Sequence, residues 1–191
     1  MGRGLSEPTF RDFDPERDRG ALIDLITGEE WTHRTRPVIS EADVVKELES
    51  GYYAGDDVIT LLIELDGEVV GLARADGLGS GHEDPQLDFR LGERVRGRGI
   101  GLAALRQITD AVFTRHPGKH RIEGQTREDN VAMRKVFVRG GYAQEAVYRC
   151  AWPSADGEML DGIGYAILRG DWESGTTTPV RWDPPASILQ P

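Results

Sequence analysis

The sequence predicts an α+β fold, an α/β sandwich in which a mixed, mostly antiparallel twisted sheet of about seven strands is flanked by four helices. Three observations carry that expectation. Two β-rich runs, Val58 to Leu65 and Glu68 to Ala75, are separated by Asp66-Gly67, the pair that best tolerates the positive φ angles of a two-residue hairpin turn. Gln86 to Leu91 alternates strictly, with Leu87, Phe89 and Leu91 on one face and Gln86, Asp88 and Arg90 on the other. After the glycine-rich stretch Gly97 to Gly101 the period becomes helical, in Leu102, Leu105, Ile108, Thr109 and Val112.

The remaining elements fall into place around these. Thr9 to Phe13 reads as a first strand, and Pro15 opens a helix whose Ala21, Leu22, Leu25 and Ile26 share a face until Gly28. A polar, aromatic loop from Glu29 to Arg34 follows. Ser40-Glu41-Ala42-Asp43 resembles a capping box and starts a second helix, with Val44, Val45 and Leu48, that ends at Gly51. The helix from the glycine loop runs to Pro117-Gly118, Ile122 to Thr126 is a strand, Asn130 to Gly140 a fourth helix, and Tyr142 to Ala151 and Gly162 to Leu168 two last strands. The order is β-α-α-β-β-β-α-β-α-β-β. This gives one domain over residues 8–173 and a Thr- and Pro-rich C-terminal tail over 174–191, ending in Asp183-Pro184-Pro185, that leaves the core or lies along its surface.

Composition excludes several classes of function. With 33 acidic against 23 basic residues among 191, the net charge is −10, which repels nucleic-acid phosphates and favours a cationic partner. No apolar run approaches the roughly 18 residues of a membrane helix, and the first fifteen residues hold no apolar signal core. The residues Met1 to Ser6 satisfy the permissive myristoylation pattern, for which a single acyl chain would anchor only weakly. Cys150 is the only cysteine, so no internal disulfide or cysteine-rich zinc site is available. The expectation is a cytoplasmic protein without a metal, a membrane or a nucleic-acid partner; a homodimer is left open.

Arg96-Gly97-Arg98-Gly99-Ile100-Gly101 lies between a strand and a helix, where residues without side chains let backbone N–H groups close on an anion at a helix N-terminus. Three glycines also permit a tight turn and nothing more; the two arginines tilt the reading towards phosphate. Gly99 to Ala104 spells the dinucleotide pattern G-x-G-x-x-A, with Glu123 near the ribose position, but the loop follows antiparallel strands instead of opening a βαβαβ run. A kinase-type P-loop is excluded because no Lys-Ser/Thr pair follows the glycines.

These residues resemble the GNAT superfamily of acetyl-CoA-dependent N-acetyltransferases. Arg96-x-x-Gly99-x-Gly101 is similar to its pyrophosphate-binding pattern R/Q-x-x-G-x-G/A, and Asn130 through Gly141-Tyr142 to its second motif, an Asn-led helix ending in Gly-Phe. Tyr165 to Leu168 with Asp171-Trp172 resembles the last strand of the RimJ/RimL-like branch, so the likeness covers residues 8–173. The resemblance implies a GNAT-like sheet and acetyl-CoA as co-substrate. Its pyrophosphate would rest on Gly97, Arg98, Gly99, Ile100 and Gly101 beside Arg96. The pantetheine arm would lie between strands 86–91 and 122–126 near Phe89, Leu91, Asn130 and Phe137. Asn130 is equally an N-cap by residue type.

Transfer of an acetyl group from a thioester to an amine needs a neutral amine, a polarised carbonyl and a proton for the departing thiolate. The family often places a Tyr at the position of Phe137, and its RimJ/RimL branch a Ser at that of Met133; both are apolar here, which leaves Tyr142, Tyr148 or water as acid. Asp88, and the charged loop His82-Glu83-Asp84, are base candidates, although Asp88 also suits an ion pair with Arg90 two residues on. The resemblance places the loop between the first two helices over the amine, where Glu29, Glu30, Trp31 and His33 suit a cation. His116 and His120 flank an exposed turn. The expected acceptor is a primary amine on a small cationic molecule or a protein N-terminus. The alternative is an acyl-CoA-binding regulator of the same fold without transfer.

Overall fold

The computed structural model describes residues 7–79, 81 and 84–182. The acylation pattern at residues 1–6, the pair His82-Glu83 and the closing Asp183-Pro184-Pro185 lie outside the described residues.

The strands are β1 (Thr9–Asp12), β2 (Val58–Leu65), β3 (Glu68–Asp76), β4 (Gln86–Leu91), β5 (Arg121–Arg127), β6 (Ala143–Pro153) and β7 (Met159–Leu168), in sheet order β1-β2-β3-β4-β5-β7-β6. All neighbours pair antiparallel except β4 with β5. Two cores form on opposite faces. Helices α1 (Arg19–Thr27) and α2 (Glu41–Glu49) bury Leu22, Ile26 and Val44 against Leu62 and Leu72. Helices α3 (Ile100–Arg115) and α4 (Val131–Arg139) bury Leu105, Ile108, Val112 and Phe137 against Ile59, Leu61, Ile63 and Ile122. Residues of β2 alternate between the two cores, which is why that strand reads as a nearly unbroken apolar run.

Local chemistry accounts for the joints. Asp66 (φ 54°) and Gly67 (φ 82°) both take the positive φ of a type I′ turn and set the β2–β3 register at Leu65↔Glu68. The Ser40 hydroxyl accepts the Asp43 N–H at 3.2 Å while the Asp43 carboxylate accepts the Ser40 N–H at 3.4 Å, a complete capping box on α2. No helix among the described residues is long and apolar enough to cross a membrane.

Several element boundaries differ from the sequence expectation. Helix α1 starts at Arg19, not at Pro15. The Asp14 carboxylate accepts the N–H groups of Glu16 and Arg17 at 3.0 Å, and Asp18 accepts the Asp14 N–H at 2.9 Å, so side chains satisfy the backbone in a turn instead. A 3-10 turn, Glu93–Val95, precedes the glycine loop, and α3 begins at Ile100, inside the glycine stretch and directly after left-handed Gly99. A fifth helix, α5 (Arg169–Ser174), is too short to show a period; Trp172 anchors it with its ring on Phe113 and its indole N–H on Asp110 at 2.6 Å. Thr177 donates to the Gly141 carbonyl at 3.1 Å and Thr178 to Asp171 at 2.6 Å, so the first residues of the expected tail lie along the body.

Candidate active site

Strands β4 and β5 pair only at Gln86↔Glu123 and Leu87↔Gly124. Beyond these positions β4 follows β3 as far as Gly71↔Leu91, and β5 follows β7 as far as Arg127↔Gly162. Each strand obeys its own antiparallel neighbour, so a wedge opens between them. The carbonyls left without a ladder partner are met by side chains, Phe89 O by Arg34 Nη2 at 3.5 Å and Leu91 O by Arg96 Nε at 2.9 Å.

The glycine loop stands at the end of β4. Gly97 and Gly99 have φ of 75° and 83°, and a β-carbon added at either would meet no heavy atom within 4 Å. Leu102 and Ala103 both donate to Gly99 O, at 3.1 and 3.2 Å, so the Ile100 and Gly101 N–H groups at the start of the helix have no helical acceptor. These free donors at a helix N-terminus, behind the exposed Gly97, Arg98 and Gly99, form a cradle that fits a pyrophosphate. Arg96 is exposed as well, but its Nε is turned to β4.

Helix α4 closes the other side of the wedge. Asn130 caps it, its Oδ1 accepting the Met133 N–H at 3.1 Å. Phe137 is 1% exposed and stacks on Tyr165 with ring centroids 4.9 Å apart. Its ring lies so close over Gly124 that a β-carbon there would overlap it. Tyr142 is placed in the core: Thr109 donates its own proton to Leu105 O at 2.7 Å, so the Tyr142 O–H donates to Thr109 Oγ1, also at 2.7 Å. Burial pushes the Tyr142 hydroxyl pKa well above its ordinary value. A proton so held does not face the wedge. Tyr148 is exposed on β6. Tyr165, which by sequence is only a residue of the last strand, stacks its ring on Phe137, and its hydroxyl oxygen accepts from Arg134 Nε at 3.3 Å.

On the α1–α2 face, Asp88 contacts Arg34 Nη2, accepts from the Tyr52 hydroxyl at 3.4 Å and lies 3.9 Å from Arg90 Nε. The Arg34 partner, on the helix-connecting loop, could not be read from the strand alone. Burial, and then the nearby Arg90, push the Arg34 pKa down to about 10. Of the four loop residues expected over the amine, the structure gives two a scaffolding role. Glu29 accepts the Glu93 N–H at 3.2 Å and so secures the turn after β4. Trp31 is 5% exposed and donates Nε1–H to Ile26 O at 2.9 Å. Glu30 is exposed. His33 reaches the other strand, with Nδ1 3.4 Å from Arg127 Nη2 and 3.6 Å from Asp129 Oδ1. The loop therefore straps the wedge, with Arg34 on β4 and His33 on the β5–α4 connection. His116 and His120 take no part in this constellation; their carbonyls accept from Arg169 side-chain and backbone N–H groups.

The family model described as an acetyltransferase (GNAT) domain matches residues 9–143. Among solved structures, the chain is similar to the Vibrio cholerae spermidine N-acetyltransferase in complex with CoA and spermine, at 14% identity, 87% of this chain, 98% of that chain and a TM-score of 0.74. It is also similar to RimL, a ribosomal L7/L12 alpha-N-protein acetyltransferase in complex with coenzyme A, at 20% identity, 84% and 93% coverage and a TM-score of 0.72. A GNAT-family acetyltransferase from Streptococcus pneumoniae matches at 19% identity, 85% and 99% coverage and a TM-score of 0.70. No curated protein matches the sequence.

Proposed function

Since the chain belongs to the GNAT acetyltransferase domain family, we propose that it moves an acetyl group from acetyl-CoA to a primary amine brought in from the α1–α2 face. The observation that carries this reading is the wedge between β4 and β5, which opens beside a left-handed glycine cradle. The pyrophosphate rests on the backbone of residues 97–101, and the pantetheine arm pairs with strand backbone near Phe89 and Leu91, with Asn130 and Phe137 along α4. Bound acetyl-CoA supplies an activated thioester.

The chain's own residues then do three things. They hold amine and thioester together, a proximity worth up to about 7–11 kcal/mol in favourable cases. Asp88, or His33 oriented by Asp129, removes the ammonium proton at the mouth of the wedge; Asp88 serves once Arg34 leaves it. Tyr165 replaces the missing acid. Because Arg134 donates to its oxygen, the Tyr165 proton stays free for the departing thiolate. Relatives whose names specify spermidine or a ribosomal protein N-terminus support an amine acceptor in general.

The experiment is thiol release from acetyl-CoA across a panel of amines, with acetylated product identified by mass. Product from at least one amine supports the enzyme. Tight acetyl-CoA binding without product from any amine would favour the regulator instead.

A further inference from the structure

We infer that the acceptor carries a carboxylate next to its amine, as an amino acid does, and that Arg90 receives it with help from Arg34. The inference rests on the acetyltransferase reading and names its substrate class. Arg90 is 4% exposed and its guanidinium lies 5.4 Å from the Trp31 ring centroid, yet among the described residues its buried Nε and Nη1 have no hydrogen-bond acceptor. A buried guanidinium in this state lacks the acceptors that would offset its desolvation. Arg74, on the neighbouring strand and equally buried, shows how a structural guanidinium is satisfied. Its Nε donates to Tyr52 O at 2.6 Å, its Nη2 pairs with Asp76 at 3.0 Å, and its Cζ lies 3.7 Å from the Tyr52 ring centroid.

Arg90 is not alone. Arg127 Nη1, also buried, has no acceptor among the described residues either. Arg90 and Arg127 stand on the two strands that separate, and the strap carrying Arg34 and His33 touches the surroundings of both. Arg34 and Arg90 share one close carboxylate, Asp88, with Glu47 acting on Arg34 as well, while Arg127 pairs through Nε and Nη2 with Asp129. An acceptor with an ammonium and a carboxylate matches this pattern: the ammonium on Asp88, where the Arg34 guanidinium now sits, and the carboxylate on the unfilled donors of Arg90.

The test compares L-aspartate, its neutral analogue L-asparaginamide, a peptide amide with N-terminal Asp, spermidine and phosphoethanolamine as acceptors for the full chain with acetyl-CoA. The expected result is a kcat/KM for a carboxylate-bearing acceptor at least tenfold above asparaginamide, although the amide has the less basic amine. In Arg90→Gln that ratio collapses towards one with acetyl-CoA affinity unchanged; should Arg90→Gln fold poorly, Arg34→Gln on the half-buried strap shows the same loss. Aspartate against the peptide separates a free amino acid from a chain terminus, and preference for phosphoethanolamine would replace carboxylate by phosphate and overturn the proposal. Equal or better use of asparaginamide or spermidine, or a ratio that survives both variants, overturns it as well. If no acceptor is acetylated, calorimetric titration of aspartate into the CoA-loaded chain decides: heat lost in Arg90→Gln supports the site, and no heat refutes it. Failure of acetyl-CoA itself to bind would instead remove the acetyltransferase reading, and aspartate titrated into the free chain would still judge the anion site.

Discussion

The Tyr142 hydroxyl is a donor to Thr109 Oγ1 at 2.7 Å, because the Thr109 proton is already committed to the Leu105 carbonyl. This fixes a residue that could have been an acid as part of the core. Tyr142→Phe should therefore cost stability, about 1 kcal/mol for one buried hydrogen bond, and leave kcat and its pH profile unchanged. Urea denaturation and steady-state rates check this. A large fall in kcat at nearly native stability would return Tyr142 to the chemistry.

Tyr165 differs in this respect. Its oxygen accepts from Arg134 at 3.3 Å, and among the described residues its own proton has no acceptor. Tyr165→Phe is expected to lower kcat by about tenfold or more while the KM for acetyl-CoA stays nearly constant, as loss of a proton donor in the transition state does. Unchanged kcat would leave water as the donor.

Gly124 is required by Phe137. A β-carbon at residue 124 would overlap the Phe137 ring, so Gly124→Ala should destabilise by about 1–3 kcal/mol through overpacking. The double change with Phe137→Leu should recover part of the loss. Thermal melts of the single and double variants measure it; additive losses would mean that the two sites do not touch.

Acid stability has a local source. Arg17, then Arg11 and the Asp14 N–H, hold the Asp18 carboxyl well below the usual carboxylate range. A depressed folded-state pKa gives stability that is present above the unfolded pKa near 4 and lost as pH falls through the folded value. Asp18→Asn should thus be less stable than the natural chain by about 2 kcal/mol at pH 7, and the gap should narrow below pH 4. Denaturation at pH 7 and pH 3 checks the sign; a gap that does not narrow would assign the loss to packing.

Much of this architecture is legible from local chemistry. The Asp66-Gly67 turn, the Ser40–Asp43 box, the alternation of β4 and the left-handed glycines each depend on residues within a few positions of one another, and each stands where the sequence puts it. Family resemblance added the role of the glycine loop. What could not be read depends on strands far apart in the chain. Asp88 and Arg90 share a strand face, as expected, yet the closer partner of Asp88 is Arg34, some fifty residues away. Glu29 and Trp31 have the composition of a cation site, but backbone N–H and carbonyl groups claim them for structure. The unfilled donors of Arg90 and Arg127 emerge only once the fold shows what surrounds them.

The coenzyme is proposed to rest on the backbone of residues 97–101. Gly99 has φ 83° with open space around it, so Gly99→Ala carries only the left-handed strain of about 1–2 kcal/mol, and Gly99→Glu adds a carboxylate where the pyrophosphate would lie. Calorimetric titration of acetyl-CoA into the natural chain, Gly99→Ala and Gly99→Glu, each shown folded by circular dichroism, separates strain from charge. One-to-one binding to the natural chain is expected, retained to within a few-fold in Gly99→Ala and weakened at least a hundredfold in Gly99→Glu. Native-like affinity in folded Gly99→Glu would contradict it.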